Sequence, residues 1–296
     1  MSDTAIDGNI DGNIAGPGDI SARGWRAVLV RTWREAQDDN ISLIAAGVAF
    51  YGFLAFVPML ASTVLVYGLV ADPLAVAQHI QRLFEMLPGE AAALIGEQLK
   101  SMTEGEAGRK GFALLLALLL SIYGAMKGAS AIVTALNVAN ETSETRSFVR
   151  TTVLALLITL GALVALLIAA GGISALAAIE RLLPRSTPVL HAAVQILFWS
   201  VAALAVSAML AAVYRYAPDR PGARWRWLTP GSVGATLLWL GATLGFGFYV
   251  ANFGNYNATY GSLGAVAVFL TWLYLSAYIL LMGAELNSEV EKQLKQ

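Results

Sequence analysis

The sequence predicts an all-α, polytopic membrane protein with six transmembrane helices. Of its 296 residues, 57% are hydrophobic and 13% are charged, whereas soluble domains carry about 25% charged residues. Six stretches each supply the roughly 20 mostly apolar residues that a spanning helix needs. No segment shows the alternating pattern, about ten residues long, that is typical of a transmembrane β-barrel strand.

The six predicted spans form one transmembrane domain over residues 41–287. They are residues 41–71, 111–137, 151–179, 190–216, 229–250 and 260–285. Between the first two spans, two amphipathic stripes flank Leu87–Gly89 and predict an outer helical hairpin over residues 72–110. This hairpin is either a lid over a pathway or a packing element only.

The chain outside this domain divides into three parts. Residues 1–22 are acidic and rich in glycine, which predicts a flexible cytoplasmic tail, and residues 288–296 form a second tail. Residues 23–40 predict an amphipathic helix with tryptophan and arginine on it. That composition favours a helix lying on the membrane surface, and a cytoplasmic helix packed on the bundle is the alternative.

The distribution of lysine and arginine predicts the orientation. One set of flanks carries twelve of these residues and the other carries six, and the richer side faces the cytoplasm in membrane proteins. Both termini are therefore predicted to be cytoplasmic, in agreement with an even number of spans.

Composition and motifs argue against most enzymatic chemistry. The chain has no cysteine and two histidines, His79 and His191, which lie far apart in the sequence. A zinc site needs three or more clustered ligands, so no metal site and no cofactor are expected. There is no GxxxxGK[ST] phosphate loop, and a net charge of -1 offers no footprint for nucleic acid. We expect a protein that is not an enzyme and whose partners are membrane lipids, with a homo-oligomer left open.

Polar residues inside the predicted spans are the informative signals. They recur at helical spacing and share a face in the second and sixth spans: Tyr123, Lys127, Ser130, Thr134 and Asn137, and then Tyr274, Tyr278 and Glu285. A lysine at this depth is costly in hydrocarbon, so Lys127 should face the bundle interior or a wet cavity. The two stripes either line a substrate pathway or bond helices together. For Glu285, an ion pair with Arg150, Arg215 or the N-terminal arginines is the structural interpretation.

Glycines inside the spans predict close helix packing. Gly241, Gly245 and Gly247 in the fifth span, and Gly124 with Gly128 in the second, have the spacing of small residues at helix crossings.

The connection between the fifth and sixth spans is uncharged and dense in asparagine, tyrosine and glycine. Its characteristic residues are Asn252, Gly254, Tyr256, Asn257, Tyr260, Gly261 and Gly264. Such a segment is either a re-entrant loop or a plain outer turn. With Ala135-Leu136-Asn137 and Tyr214-Arg215-Tyr216-Ala217-Pro218, it resembles the signature of the YihY/BrkB family of bacterial inner-membrane proteins, over about residues 25–290.

The resemblance implies a six-helical fold, a location in the bacterial inner membrane and no agreed catalytic residue. Members of the family that the sequence resembles have been labelled ribonucleases, virulence factors and transporters, and links to envelope lipid transport have been proposed for them. The sequence itself argues against a ribonuclease, because it has almost no histidine and no basic groove. A secondary transporter or flippase-like carrier of a lipid or amphiphilic envelope substrate is the leading hypothesis. An oligomeric channel or pore and a non-transporting envelope scaffold are the alternatives.

Overall fold

The computed structural model describes residues 16–70, 107–182, 188–220, 228–253 and 262–294. In this part of the chain there are seven long helices, a short 3-10 turn at Pro17–Asp19 and no strand. The helices are α1 (Ala22–Asp38), α2 (Ile41–Val70), α3 (Ala107–Ala139), α4 (Phe148–Leu182), α5 (Pro188–Tyr216), α6 (Pro230–Phe253) and α7 (Ser262–Gln293).

The all-helical class is therefore confirmed for the described residues. Helices α4, α5, α6 and α7 are long and apolar enough to cross a membrane. A fifth span is reached if α1 and α2, which are bent by 66° relative to each other, count as one. Helices α2 and α3 coincide with the first two predicted spans, but the number six and the orientation remain predictions.

Some predicted boundaries differ from the helices. Residues 16–21 of the predicted N-terminal tail are described, and Ile20 is buried against α1 and α7. Helix α7 continues through Gln293, so most of the predicted C-terminal tail is helical, with Glu289 and Val290 buried. Residues 1–15, and the predicted outer hairpin except for 107–110, which begin α3, lie outside the described residues.

Helix α1 lies between the N-terminal segment and the first long helix. The Ser21 hydroxyl caps it by accepting the Gly24 N–H at 3.1 Å. The chain turns sharply at Asn40, whose φ of 54° lies in the left-handed region that asparagine tolerates. Of the apolar face predicted for this helix, Val28 is buried on the bundle whereas Trp33 is exposed. The position of α1 at a membrane surface remains a prediction.

Helix α7 is the central element of the described bundle. It packs against α6 and α2, and its C-terminal half contacts α1. At the crossing with α6, a Cβ on Gly231 would lie 1.9 Å from the Gly283 carbonyl oxygen. The Asn287 side-chain oxygen accepts the Gly231 N–H at 2.8 Å. This contact brings two backbones together in a way that only glycine permits.

The predicted glycine crossings are only partly found. Gly128 of α3 packs closely on Ala55 of α2. A Cβ on Gly241, Gly245 or Gly247 would meet nothing within 4 Å, so the predicted close packing at these three glycines is wrong within a single chain. The α6 contact is made about three to four turns earlier, at Gly231.

The outer surfaces of the helices are apolar. Large side chains of α4, α5 and α6 are widely exposed, among them Ile168, Ile196, Leu197, Leu237 and Leu244. A soluble monomer rarely exposes so extensive an apolar surface. This surface is what a helix bundle presents to lipid.

Candidate functional site

Polar side chains concentrate at one end of the bundle, which we call the polar end. The C-termini of α1, α3, α5 and α7 and the N-termini of α2, α4 and α6 meet there. Two side-chain networks occupy it. We call them the clasp, made of Asn137, Glu144, Thr145, Arg146 and Asp219, and the carboxylate cluster, made of Arg31, Glu35, Asp39, Glu141, Glu285, Glu289 and Lys292.

The clasp joins the loop after α3 to the end of α5. Arg146 makes a forked contact with Glu144, at 2.7 Å and 2.6 Å, and donates to the Ala217 carbonyl at 2.8 Å. Asn137 accepts the Asp219 N–H at 2.7 Å and donates to Glu144 at 2.9 Å. The two sequence segments that contain Asn137 and Ala217 are thus held together directly.

The clasp also sets the charge of its acids. The hydrogen bonds from Arg146 hold the pKa of Glu144 below its usual range, despite partial burial. The hydroxyl and N–H of Thr145 likewise lower the pKa of Asp219. Both carboxyl groups are therefore ionised at neutral pH.

The carboxylate cluster joins α1, the α1–α2 junction, the loop after α3 and α7. Arg31 bonds Glu289 at 2.7 Å and Gln293 at 2.8 Å. Lys292 lies 2.7 Å from Glu289, 2.7 Å from Glu141 and 3.5 Å from Glu35. The cluster therefore has five carboxyl groups and two cations, and both cations are engaged.

Glu285 is the most unusual member of this cluster. It is only 2% exposed, and its Oε1 accepts no hydrogen bond from the described residues. The carboxyl group of Asp39 lies beside it. Burial raises the pKa of Asp39, and the charges of Glu35 and Glu141 raise it further.

The arginine partners predicted for Glu285 are wrong. Among the described ion pairs, the N-terminal helix contributes Arg31, and its partner is Glu289, one turn beyond Glu285. Arg215 lies over the Tyr216 ring, and its Nε has no partner among the described residues. The sequence pattern placed the acid correctly at the end of α7 but did not identify which turn meets α1.

The polar stripe of α3 lies on the surface. Tyr123 is 59% exposed, and Lys127, Ser130 and Thr134 are exposed with it. The expectation that Lys127 faces the bundle interior is therefore wrong for the single chain, while its alternative, a wet cavity, remains a prediction. The ammonium of Lys127 lies 5.2 Å from the centre of the Tyr123 ring. We call Tyr123, Lys127, Ser130 and Thr134 the α3 stripe.

The other predicted pathway residues do not continue the α3 stripe. Asn137 belongs to the clasp and Glu285 to the carboxylate cluster. Tyr274 and Tyr278 are half-buried on the apolar core, with their rings stacked at 6.1 Å. The predicted pathway is thus divided among an exposed stripe, a packed aromatic pair and two polar networks.

The family-signature segment is mostly outside the described residues. Asn252 lies in the last turn of α6 and Gly264 is buried in the first turn of α7. Gly254, Tyr256, Asn257, Tyr260 and Gly261 fall on residues that are not described, so the choice between a re-entrant loop and a plain turn stays open.

Sequence reasoning missed several residues of the polar end, namely Asp39, Glu141, Glu144, Arg146, Asp219 and Glu289. A usable signal existed for Asp219, because it directly follows the segment Tyr214–Pro218. Within the described ranges, no group of three or more His, Cys, Asp or Glu side chains is arranged to hold a metal ion.

Comparison with known proteins places this chain among bacterial membrane proteins. A family model described as Virulence factor BrkB matches residues 32–296. The ribonuclease-like protein YfkH of Bacillus subtilis is 29% identical over 257 residues, which cover 85% of this chain and 90% of YfkH. No solved structure matches.

Shorter matches link the chain to proteins named UPF0761 membrane proteins. One from Xanthomonas campestris pv. campestris is 37% identical over 93 residues, covering 31% of this chain and 22% of that relative. One from Tolumonas auensis is 38% identical over 65 residues, covering 22% of each protein. These matches span only about a fifth of the UPF0761 relatives' length.

Proposed function

Because the chain belongs to the Virulence factor BrkB family, with relatives named membrane proteins, we propose that it is a carrier in the bacterial inner membrane. Its substrate is a lipid or an amphiphilic envelope molecule, moved across the bilayer without ATP. The α3 stripe is the route of the polar head group. This role is distinct from the ribonuclease-like activity that the name of YfkH states.

The carrier has six spans, α2 to α7, and both termini in the cytoplasm. Support comes from the contact between Arg31 and Glu289, which puts α1 and the end of α7 at the same end of the bundle. Two chain ends on one side require an even number of crossings. The excess of lysine and arginine at the polar end favours the cytoplasm for that side.

The observation that carries the proposal is the exposure of Lys127 on α3. A lysine in direct contact with hydrocarbon costs at least about 2.5 kcal/mol. A lipid phosphate removes this cost by pairing with the ammonium group while its acyl chains remain in the bilayer. The Tyr123 ring, 5.2 Å from the ammonium group, holds the cation by a cation–π contact.

The length of the α3 stripe fits a half-crossing. From residue 123 to residue 134 a helix rises about 16 Å at 1.5 Å per residue. The hydrocarbon core is about 30 Å thick. The stripe therefore covers about half of the membrane, ending toward the polar end where Asn137 begins the clasp.

The experiment that tests the proposal is a lipid-translocation assay with the full chain in liposomes. Fluorescent anionic and zwitterionic lipids are followed by chemical quenching of the outer leaflet. We expect faster translocation than in empty vesicles, reduced at least about tenfold in Lys127→Ala and Lys127→Met, which is about 1.4 kcal/mol. Arg150→Ala, an exposed charge outside the α3 stripe, should translocate like wild type.

Three results would contradict parts of the proposal. If both Lys127 variants translocate lipid as fast as wild type, the protein is still a carrier, but the head group does not pass along Lys127. No translocation by folded protein, together with single-channel currents in planar bilayers, would favour a pore. Neither activity, together with a stable partner in a pulldown, would favour a scaffold.

A further inference from the structure

Two acidic side chains meet where α1, α2 and α7 converge. Asp39 lies in the sharp turn between α1 and α2, directly before Asn40 with its left-handed φ of 54°. Glu285 lies on α7 and is 98% buried, since its exposed fraction is 2%. Their carboxyl groups lie beside each other.

Two neighbouring carboxyl groups lack a hydrogen-bond donor unless one of them carries a proton. An ionised carboxylate has only acceptor atoms, so two carboxylates have no hydrogen to share. Oε1 of Glu285 accepts no hydrogen bond from the described residues, so none of them supplies a donor to this buried oxygen. One proton between the two groups supplies the missing donor and removes one of the two like charges.

The charged neighbours cannot take the place of this proton. Those that act on the pair are Glu35 of α1, Glu141 of the loop after α3, and Lys292 of α7. Lys292 already contacts Glu289, Glu141 and Glu35, and Arg31 of α1 bonds Glu289 and Gln293. Both cations of the carboxylate cluster are thus committed to other acids, while Glu35 and Glu141 add negative charge.

We propose that Asp39 and Glu285 bind one proton between them at neutral pH, and that this proton holds the α1–α2 junction on α7. Its release to water leaves two adjacent negative charges, one of them on the buried Glu285, and drives the junction away from α7. This inference goes beyond the carrier proposal and does not depend on it, because a proton-binding site is measured without transport.

Infrared spectroscopy of the purified full chain across a pH titration tests the proposal. Wild type should show the carbonyl band of a protonated carboxyl group at neutral pH, lost on further alkalinisation. Asp39→Asn and Glu285→Gln should each remove the neutral-pH band. Glu291→Gln is the matched control, because Glu291 lies on the same helix and pairs with Arg220 outside the carboxylate cluster. It should keep the band.

The absence of the neutral-pH band in wild type overturns the proposal, as does a band unchanged in both variants of the pair. Thermal unfolding gives a second readout. Since the folded protein binds a proton that the unfolded chain releases near its ordinary carboxyl pKa, wild-type stability should fall as pH rises above about 4. Glu285→Gln should show a smaller fall. If that variant does not fold, the wild-type band and its titration still decide the question.

Discussion

At the scale of single residues, Asn137 shows how one side chain links distant segments. Its amide oxygen accepts from the Asp219 backbone and its amide nitrogen donates to Glu144. A buried amide can satisfy a donor and an acceptor at once. Sequence reasoning selected Asn137 as a pathway residue, but the structure gives it a bonding role at the polar end, because its partners lie in loops that helical spacing cannot locate.

Replacing Arg146 tests the strength of the clasp. Arg146→Ala removes the forked contact with Glu144 and the bond to the Ala217 carbonyl. Because hydrogen bonds to charged groups contribute about 1.5–3 kcal/mol, the free energy of unfolding should fall by about 1–3 kcal/mol. Arg150→Ala, four residues along, is exposed and should change it by less than about 0.5 kcal/mol. Thermal unfolding in detergent measures both, and equal effects would contradict a clasp.

The clasp should also weaken in acid. The pKa values of Glu144 and Asp219 lie below their usual range. Stability from such groups is present above the unfolded-state pKa and is lost as pH falls through the folded-state value. The unfolding temperature of wild type should therefore decrease as the pH is lowered below about 4. Arg146→Ala should show a shallower drop, and a parallel pH profile would count against this origin.

At the scale of helices, the side of each helix that contacts its neighbours was harder to predict than the position of the helix in the sequence. Long apolar runs at Phe148–Leu182 and Pro188–Tyr216 establish helices. A helix that is apolar all round, however, carries no stripe that marks its partner. This is why Gly241 and Gly245 were assigned to a crossing that is in fact made at Gly231. It is also why Lys127 was expected inside.

The crossing of α6 and α7 should not tolerate a methyl group. A Cβ on Gly283 would lie 2.4 Å from the Tyr214 hydroxyl oxygen and 2.8 Å from the Gly231 carbonyl oxygen. Because one of these neighbours is backbone, Gly283→Ala should destabilise the fold by at least about 1–3 kcal/mol. The added methyl group of Gly241→Ala meets nothing within 4 Å, so this variant should not destabilise the fold. The test is to measure the unfolding of both variants in detergent. A Gly283→Ala variant as stable as wild type would contradict this packing.

The docking of α1 on α7 should depend on one arginine. Arg31→Ala leaves the buried Glu289 without one of its two cations, which weakens the contact between the two helices. We expect limited trypsin digestion to cut at Arg23 or Arg26 faster in this variant than in wild type. Arg34→Ala removes an exposed charge from the same helix, and trypsin should cut this variant at Arg23 or Arg26 at the wild-type rate. Unchanged cleavage in Arg31→Ala would mean that apolar contacts alone hold α1.

At the scale of the whole molecule, composition predicted the class and the helices, and the signature residues predicted the family. The sequence could not show how the N-terminal helix contacts the C-terminal end of α7. Arg31 and Glu289 are 258 positions apart, and neither carries a periodic signal that points to the other. The polar end is assembled from such distant pairs, so its clasp and its carboxylate cluster were visible only in three dimensions.

The number of spans can be decided with single cysteines, because the chain has none of its own. Phe148 is the first residue of α4 at the polar end, and Val189 is the second residue of α5 at the other end; their side chains are 84% and 81% exposed. With six spans, a membrane-impermeant maleimide should label Val189→Cys in intact spheroplasts. It should label Phe148→Cys and Gly18→Cys only after lysis, and the cysteine-free parent should stay unlabelled. If α3 does not cross and five spans remain, Gly18→Cys and Phe148→Cys must react from opposite sides, because an odd number of crossings then separates them.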